Sequence, residues 1–213
     1  MIKVLIADDH ALFREGLRQL LDDSPHIVVA DEASSGPEVL EKISANDYDI
    51  LLLDIAMPGM SGLDVLKQLK NLKPRLRVLV LSMYPEEQYA VRAIKAGALG
   101  YLTKRSASSE LITAIRKVSD GGTYISTSIT DKLILDLDPD RGRPLHESLS
   151  DREYQIFCMI ARGKTVGKIA HELFLSVKTV STHRVHILDK MKMENNAELT
   201  HYAMKNNLVC PTD

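Results

Sequence analysis

The first 120 residues alternate between two kinds of segment, and this alternation limits the possible folds more than any other feature of the chain. Short runs of leucine and β-branched residues are separated by longer segments whose apolar residues recur every three or four positions, as on one face of a helix. The short runs lie at Ile2–Ala7, Ile27–Ala30, Ile50–Leu53, Val78–Leu81 and Gly100–Thr103. Five strands alternating with five helices predict an α/β fold with a doubly wound, five-stranded parallel sheet.

The pattern changes after Gly121 and Gly122, which end the last of these helices. A short helix is predicted at about residues 128–137. The stretch LDPDRGRPLHE then follows, and its content of proline, glycine and charge is typical of a linker. We therefore predict a first domain at residues 1–121 and a linker with a short helix at 122–146.

The remaining residues, 147–213, are predicted to form a small all-α domain. They show four helical patterns and no strand pattern, and Ser150 and Glu153 have the spacing of a capping box at the start of the first helix. A short turn separates the second helix from the third. Four helices with such a turn are typical of a helix-turn-helix DNA reader.

Composition and charge narrow the class of protein. Of the 213 residues, 45% are hydrophobic and 26% charged, the usual balance of a soluble globular protein. No apolar run approaches the roughly 20 residues that span a membrane, and the N-terminus lacks a signal-peptide pattern, so we expect a cytoplasmic protein without a membrane partner. Residues 1–149 hold 18 Lys and Arg against 22 Asp and Glu, a net charge of −4, whereas residues 150–213 hold 9 against 7, a net charge of +2. This small asymmetry suits an acidic cation site followed by a nucleic-acid module.

Polar side chains follow four of the five predicted strands. Asp8 and Asp9 follow the first strand, Asp54 the third, Ser82 the fourth and Lys104 the fifth. The carboxyl ends of parallel strands meet at one edge of a sheet, where α/β proteins bind their ligands. A single aspartate there could simply cap the next helix, but the convergence of all five residues favours a functional site.

Three neighbouring carboxylates repel one another unless a cation lies between them. Mg²⁺ prefers oxygen ligands and readily accepts a phosphate oxygen. Beside it, one carboxylate could attack a phosphoryl group, Lys104 could neutralise the developing charge and the Ser82 hydroxyl could donate a hydrogen bond. The residues therefore predict a magnesium-dependent phosphoryl-transfer site.

The motifs IADDH, LLLDIAMPGMSG, VLVLSMY and AGALGYLTK resemble those of the receiver domains of response regulators, over about residues 1–120. The resemblance implies a flavodoxin-like sheet in which Asp54 accepts a phosphoryl group from the phosphohistidine of a sensor histidine kinase. It also implies that Asp9, Asp54 and the Ala56 carbonyl hold Mg²⁺, with Asp8 acting largely through water.

The resemblance further implies that Ser82 and Tyr101 form a switch pair. When Asp54 is phosphorylated, Ser82 would move toward the phosphate and Tyr101 would turn inward into the vacated space. Without the resemblance, packing alone could explain an aromatic side chain in a strand. Many receivers have a cis proline after the lysine, but Arg105 follows Lys104 here, so a cis peptide is not implied.

Residues 147–209 resemble the LuxR-type helix-turn-helix of the NarL/FixJ class of response regulators. The motifs that carry this resemblance are LSDRE, KIAHEL, LSVKTVSTHR and AEL. The third helix of this domain would be the recognition helix, with Val177, Val180, Ile187 and Leu188 facing inward. The last helix, at residues 196–206, matches the surface through which the family forms DNA-bound homodimers.

Seven residues of the third helix are predicted to contact double-stranded DNA: Lys178, Thr179, Ser181, Thr182, His183, Arg184 and Val185. Lys178 and Arg184 can reach phosphates, to which Thr179 and His183 could also donate, and such contacts position a reader without choosing a sequence. Ser181, Thr182 and Val185 match the family's base-facing positions. Because these three side chains are small, specificity would rest on hydroxyl, methyl and water-mediated contacts.

Two other functions are compatible with parts of the sequence. Haloacid-dehalogenase-type enzymes also phosphorylate an aspartate, but they need a second aspartate two residues later, where Ala56 stands. We therefore expect no catalytic turnover of phosphoesters. The second domain could also dock RNA or protein instead of promoter DNA, which a salt-dependent gel shift would test.

We predict slow self-dephosphorylation of Asp54. Ala56 and Tyr84, two residues after Asp54 and Ser82, flank the expected path of the hydrolytic water, and neither has a carboxylate or amide to orient it. The lifetime of the phosphoryl group on the purified, phosphodonor-treated chain measures this directly. Loss of the phosphate within seconds would contradict the prediction.

Overall fold

The computed structural model describes residues 1–135 and 144–209. It divides into two compact units, Met1–Leu133 and Ile134–Asp213, which are described separately below. The predicted linker lies partly in the gap between the two described ranges. No helix within these ranges is both long and apolar enough to cross a membrane.

A five-stranded parallel sheet forms the centre of the first unit, as predicted. Its strands are β1 (Ile2–Ala7), β2 (Ile27–Ala33), β3 (Ile50–Asp54), β4 (Arg77–Ser82) and β5 (Gly100–Thr103). They lie in the order β2-β1-β3-β4-β5. Strand β2 continues three residues beyond the predicted Ala30, because Asp31 and Glu32 pair with β1 after a bulge. Strand β2 is an edge strand, and edge strands tolerate charged side chains.

Helices cover both faces of the sheet. They are α1 (Ala11–Asp22), α2 (Gly36–Ala45), α3 (Gly62–Leu72), α4 (Glu86–Ala96) and α5 (Ala107–Ser119). Apolar residues of α1 and α5 pack with Ile6, Leu52 and Leu81 in one hydrophobic cluster. Residues at alternate strand positions, such as Leu5 and Leu51, are buried on the opposite face. The central strands are therefore apolar without alternation.

The chain returns to the sheet after α5. The Tyr124 N–H donates to the Leu99 carbonyl (2.8 Å), and the Tyr101 N–H donates to the Tyr124 carbonyl (3.0 Å), which adds a short parallel bridge to the edge of β5. Gly100 permits this approach, since a Cβ there would lie 3.0 Å from the Tyr124 carbonyl oxygen. Helix α6 (Thr127–Leu135) follows and buries Ile129 completely.

The second unit is all-α. A 3₁₀ helix (Leu145–Ser148) precedes α7 (Asp151–Ala161), α8 (Val166–Glu172), α9 (Val177–Met191) and α10 (Asn196–Lys205). The predicted capping box is confirmed, because Ser150 and Glu153 each accept a hydrogen bond from the other's backbone N–H. The core residues come from all four α-helices: Ile156, Phe157, Ile160, Ile169, Val180, Ile187 and Leu199. Helices α8 and α9, with the turn between them, form a helix-turn-helix.

One of the α9 residues that were predicted to face inward is exposed instead. Val180 and Ile187 are fully buried and Leu188 is partly buried, as expected, but Val177 is 57% exposed. The inward assignment of Val177 was wrong because Val177 is the first residue of α9. No earlier turn of α9 covers its side chain.

Two glycine-to-alanine substitutions should have opposite effects on stability. A Cβ at Gly62 would overlap the Asp54 carbonyl oxygen and lie 2.9 Å from Ile55 Cα, so Gly62→Ala should cost about 1–3 kcal/mol. Gly16 lies in α1, and a Cβ there would meet no atom within 4 Å beyond the backbone of its own helix and its two chain neighbours, so Gly16→Ala should gain about 0.5–1 kcal/mol. Calorimetric unfolding of the full chain measures both. Equal Tm values for the two variants would contradict the close approach at Gly62.

Candidate functional site

Three charged side chains meet at the carboxyl edge of the sheet. Asp8 follows β1, Asp54 ends β3 and Lys104 follows β5. The Lys104 Nζ lies 2.5 Å from Asp8 Oδ2 and 2.7 Å from Asp54 Oδ2, and all three side chains are at least 96% buried. The Phe13 ring covers the ammonium at 4.6 Å from its centroid. The sequence-predicted convergence of strand ends is therefore present.

Backbone groups hold the two carboxylates in place. The Ala56 N–H donates to Asp54 Oδ1 (3.0 Å) and the His10 N–H donates to Asp8 Oδ1 (2.9 Å). The Gly62 N–H donates to the Ile55 carbonyl (3.0 Å), which closes the loop after β3. Each carboxylate thus keeps one oxygen toward Lys104 and the other toward a loop.

The charges in this pocket do not balance, because one ammonium faces two carboxylates. Burial raises the pKa of Asp54, and the charge of Asp8 adds to this effect, while Lys104 opposes it. Burial acts to lower the pKa of Lys104, but the attraction of Asp54 and Asp8 outweighs burial and raises it. Lys104 therefore stays protonated at neutral pH. The excess negative charge of the two carboxylates favours binding of a further cation.

The donor set fits a hard divalent cation. Asp8, Asp9, His10 and Asp54 each place one ligand atom within 4.8 Å of all the others. The buried Asp9 Oδ1 accepts no hydrogen bond from any residue that the structure describes, although His10 Nδ1 lies 2.9 Å away. Asp9 thus adds a third carboxylate to those of Asp8 and Asp54, which suits the oxygen preference of Mg²⁺.

The residues of the predicted switch pair lie together beside the pocket. Ser82 is fully buried, and its Oγ accepts from the Tyr84 N–H (3.2 Å). The Tyr101 hydroxyl donates to the Tyr84 carbonyl (2.9 Å), and its side chain is almost fully buried. Burial raises the pKa of Tyr101, while a hydrogen bond with Ser82 acts against it. Tyr101 thus has the inward orientation that the resemblance assigns to the phosphorylated state.

In the second unit, buried contacts fix the orientation of α9. Val180, Ile187 and Met191 are fully buried on its inner side. The Ser176 Oγ caps the helix by accepting from the Thr179 N–H (3.0 Å). At the other end, the Lys190 Nζ lies 2.7 Å from the buried Glu153 carboxylate, which also caps α7. The outer side of α9 is therefore presented in a fixed orientation.

The structure places five of the seven predicted DNA contacts on the exposed outer side of α9: Lys178, Thr179, Ser181, Thr182 and Val185. His183 and Arg184 are partly buried. Burial lowers the pKa of His183, which favours its neutral form at neutral pH. The Arg184 Nε donates to Asn196 Oδ1 (2.7 Å), so this guanidinium is held at the start of α10.

Comparison with known proteins accounts for both units. Residues 4–116 match the family described as "Response regulator receiver domain", and residues 147–203 match "Bacterial regulatory proteins, luxR family". The chain is 36% identical over 209 residues to the response regulator UvrY of Escherichia coli K12, covering 98% of this chain and 96% of UvrY. It is 37% identical over 210 residues to the transcriptional regulatory protein LiaR of Bacillus subtilis 168, covering 98% and 100%.

The chain belongs to the NarL/FixJ family of response regulators. It is a DNA-binding response regulator with a receiver domain and a LuxR-type helix-turn-helix. A solved structure of the two-component response regulator RcsB in complex with DNA is also similar, with a TM-score of 0.59 and 25% identity over 98% of this chain and 99% of that one.

Sequence reasoning missed two features of this response regulator. His10 lies among the candidate metal ligands, and its place directly after Asp8 and Asp9 in IADDH could have indicated this. No sequence pattern indicated the hydrogen bond between Arg184 and Asn196, because the two residues belong to different helices. The structure also leaves the Lys104–Arg105 peptide trans, since the described residues contain no cis peptide bond.

We predict that Asp54→Asn stabilises the response regulator when divalent cations are absent. A carboxyl with a raised native pKa contributes stability that is full below the ordinary pKa of Asp and is lost as pH rises through the native pKa. The neutral amide of the variant would have no such loss and would leave Lys104 paired with Asp8 alone. Urea unfolding should therefore show a higher midpoint for the variant at about pH 7.5, and the gap should shrink toward about pH 4.

The matched control is Asp47→Asn. Asp47 is 93% exposed and pairs with Lys73 at the surface (2.7 Å), so the urea midpoint of this variant should stay close to that of the wild-type chain at either pH. A loss of stability in Asp54→Asn that is larger at about pH 7.5 than at about pH 4 would show that pairing with Lys104 outweighs the burial of Asp54.

Proposed function

We propose that this chain is a phosphorylation-controlled transcription regulator of a two-component system. A sensor histidine kinase donates a phosphoryl group to Asp54, and the second domain then binds promoter DNA as a homodimer. It would act in the cytoplasm, where promoter DNA is present. The observation that carries the proposal is the buried group of Asp8, Asp54 and Lys104, with the Asp9 carboxylate beside it.

In the proposed transfer, a carboxylate oxygen of Asp54 attacks the phosphorus of the kinase's phosphohistidine. The new O–P bond forms as the P–N bond breaks, and the electron pair stays with the imidazole nitrogen. Lys104 neutralises the charge on the phosphoryl oxygens, since its Nζ already lies 2.7 Å from Asp54 Oδ2. The Ala56 N–H holds the other Asp54 oxygen, which orients the nucleophile.

The residues that would hold Mg²⁺ are Asp9, Asp54 and the Ala56 carbonyl, with Asp8 acting through water. Bound Mg²⁺ would supply charge neutralisation for the incoming phosphoryl group. The ion pair between Asp8 and Lys104 would contribute to the charge around this site. His10 covers the outer side of these carboxylates with its ring 62% exposed.

Phosphorylated Asp54 would engage Ser82 and thereby retain Tyr101 in its buried position. Ser82 Oγ accepts from the Tyr84 N–H, and its hydroxyl would turn from its hydrogen bond with Tyr101 to donate to a phosphoryl oxygen. Tyr101 already donates to the Tyr84 carbonyl, which stabilises the loop after β4 when the ring is inside. The switch thus changes which conformation of this loop is favoured.

The DNA-binding part of the proposal rests on α9. Its exposed side chains include Lys178 for phosphates and Ser181, Thr182 and Val185 for base edges. The structurally similar response regulator RcsB has been solved in complex with DNA. Helix α10 is the proposed homodimer surface. UvrY and LiaR are named as regulators, and we propose that this chain likewise does not turn over phosphoesters.

Asp54→Ala should abolish the stimulation of promoter binding by a phosphodonor, because the substitution removes the carboxylate that accepts the phosphoryl group. Gel shifts on genomic DNA fragments, with and without acetyl phosphate, measure the effect. Asp47→Ala, at an exposed surface position, should respond like the wild-type chain. Equal binding with and without acetyl phosphate in the wild-type chain would contradict the proposed control.

A further inference from the structure

The outer side of α9 carries two exposed apolar side chains. Val177 is 57% exposed and Val185 is 58% exposed. Ser181 lies midway between them, so the three residues are spaced four apart and form one row along the helix. Val177 and Val185 are separated by about 12 Å of helix axis, and they therefore face different base pairs of a bound duplex.

The polar side chains around this row are mostly committed to bonds within the domain. The Thr182 hydroxyl donates to the Lys178 carbonyl (3.1 Å), and the Thr179 hydroxyl shares a hydrogen bond with the Ser176 hydroxyl (2.7 Å). Arg184 is held by Asn196 at the start of α10. These hydroxyls and this guanidinium would have to give up existing hydrogen bonds to donate to a base.

The three base-facing positions also lack the side chains that recognise a purine by forming two hydrogen bonds with it. Arg and Lys read guanine in this way, and Asn and Gln read adenine, but positions 181, 182 and 185 hold Ser, Thr and Val. Apolar side chains instead distinguish bases by contact with the 5-methyl group of thymine, which protrudes into the major groove. Lys178 beside the row supplies the charge that holds the helix against phosphates.

We propose that Val185 and Val177 select thymine methyl groups and set the sequence preference of this reader. The inference rests on the proposed function, since it requires α9 to lie in the major groove. Each valine covers the methyl group of a thymine in a different base pair, and Ser181 between them tolerates several bases. The preferred sites contain thymine at fixed positions in each half-site.

The test compares thymine with deoxyuridine, which lacks only the 5-methyl group. The full chain, treated with acetyl phosphate, first selects duplexes from a random-sequence library. The selected duplex is then synthesised with thymine or with deoxyuridine at its fixed thymine positions. Loss of one methyl contact should weaken wild-type binding about fourfold.

Substitutions assign this preference to the two valines. Val185→Ala and Val177→Ala should each lose the preference for thymine at one fixed position and keep it at the other. Val185→Thr retains one of the two methyl groups and should keep part of the preference. His186→Ala, at an exposed position of α9 outside the row, should discriminate like the wild-type chain. The three substituted positions are all exposed, so these variants should fold normally.

Selected duplexes without fixed thymines would overturn this inference, as would a double Val177→Ala and Val185→Ala variant that still prefers thymine to deoxyuridine as strongly as the wild-type chain. In both cases DNA binding itself stands. Failure to enrich or bind any duplex, with or without acetyl phosphate, would overturn the proposed function together with this inference.

Discussion

One ammonium group shared by two buried carboxylates determines how the strands must end at the carboxyl edge of the sheet. Asp8, Asp54 and Lys104 come from the ends of three strands, and a buried charge without its partner costs several kcal/mol. The strands must therefore end at matching levels, which the parallel register of β1, β3, β4 and β5 provides. The same pocket needs Gly62, because α3 begins against the Asp54 backbone. Its excess negative charge favours binding of a further cation.

The edge strand β5 connects this pocket with the chain that follows α5. The Tyr101 side chain donates to Tyr84 beside the pocket, while its backbone N–H donates to Tyr124 outside the sheet edge. Tyr124 is further fixed by its hydroxyl, which donates to Glu110 (2.7 Å), and the Ser126 N–H donates to Glu86 at the start of α4 (3.0 Å). A shift of Tyr101 or of the start of α4 therefore acts directly on residues that lead into α6.

The sequence was sufficient to predict the strands, their alternation with helices and the convergence of Asp8, Asp54 and Lys104, because these depend on local periodicity and a general rule of parallel sheets. It was insufficient wherever a long-range partner decided the outcome. Strand β2 continues through Asp31 and Glu32 only because β1 pairs with them. Tyr124 adds to β5 only because Gly100 leaves room. Val177 follows the apolar pattern of α9, yet its position at the helix start leaves it exposed. The roles of the metal ligands and of the DNA contacts stay predictions.

The two units place opposite demands on their polar groups. In the pocket, the charges of Asp8, Asp54 and Lys104 are buried and paired, so the proposed phosphoryl group would change the charge balance strongly. On α9, the side chains predicted to face bases are small, and several hydroxyls already form hydrogen bonds within the domain. A single DNA-binding domain of this kind gains little binding free energy from each base pair. Two linked domains bind DNA much more tightly, because the first binding event raises the effective concentration of the second domain. In the proposed homodimer, a switch that controls pairing therefore controls occupancy of the promoter without altering any contact between α9 and DNA.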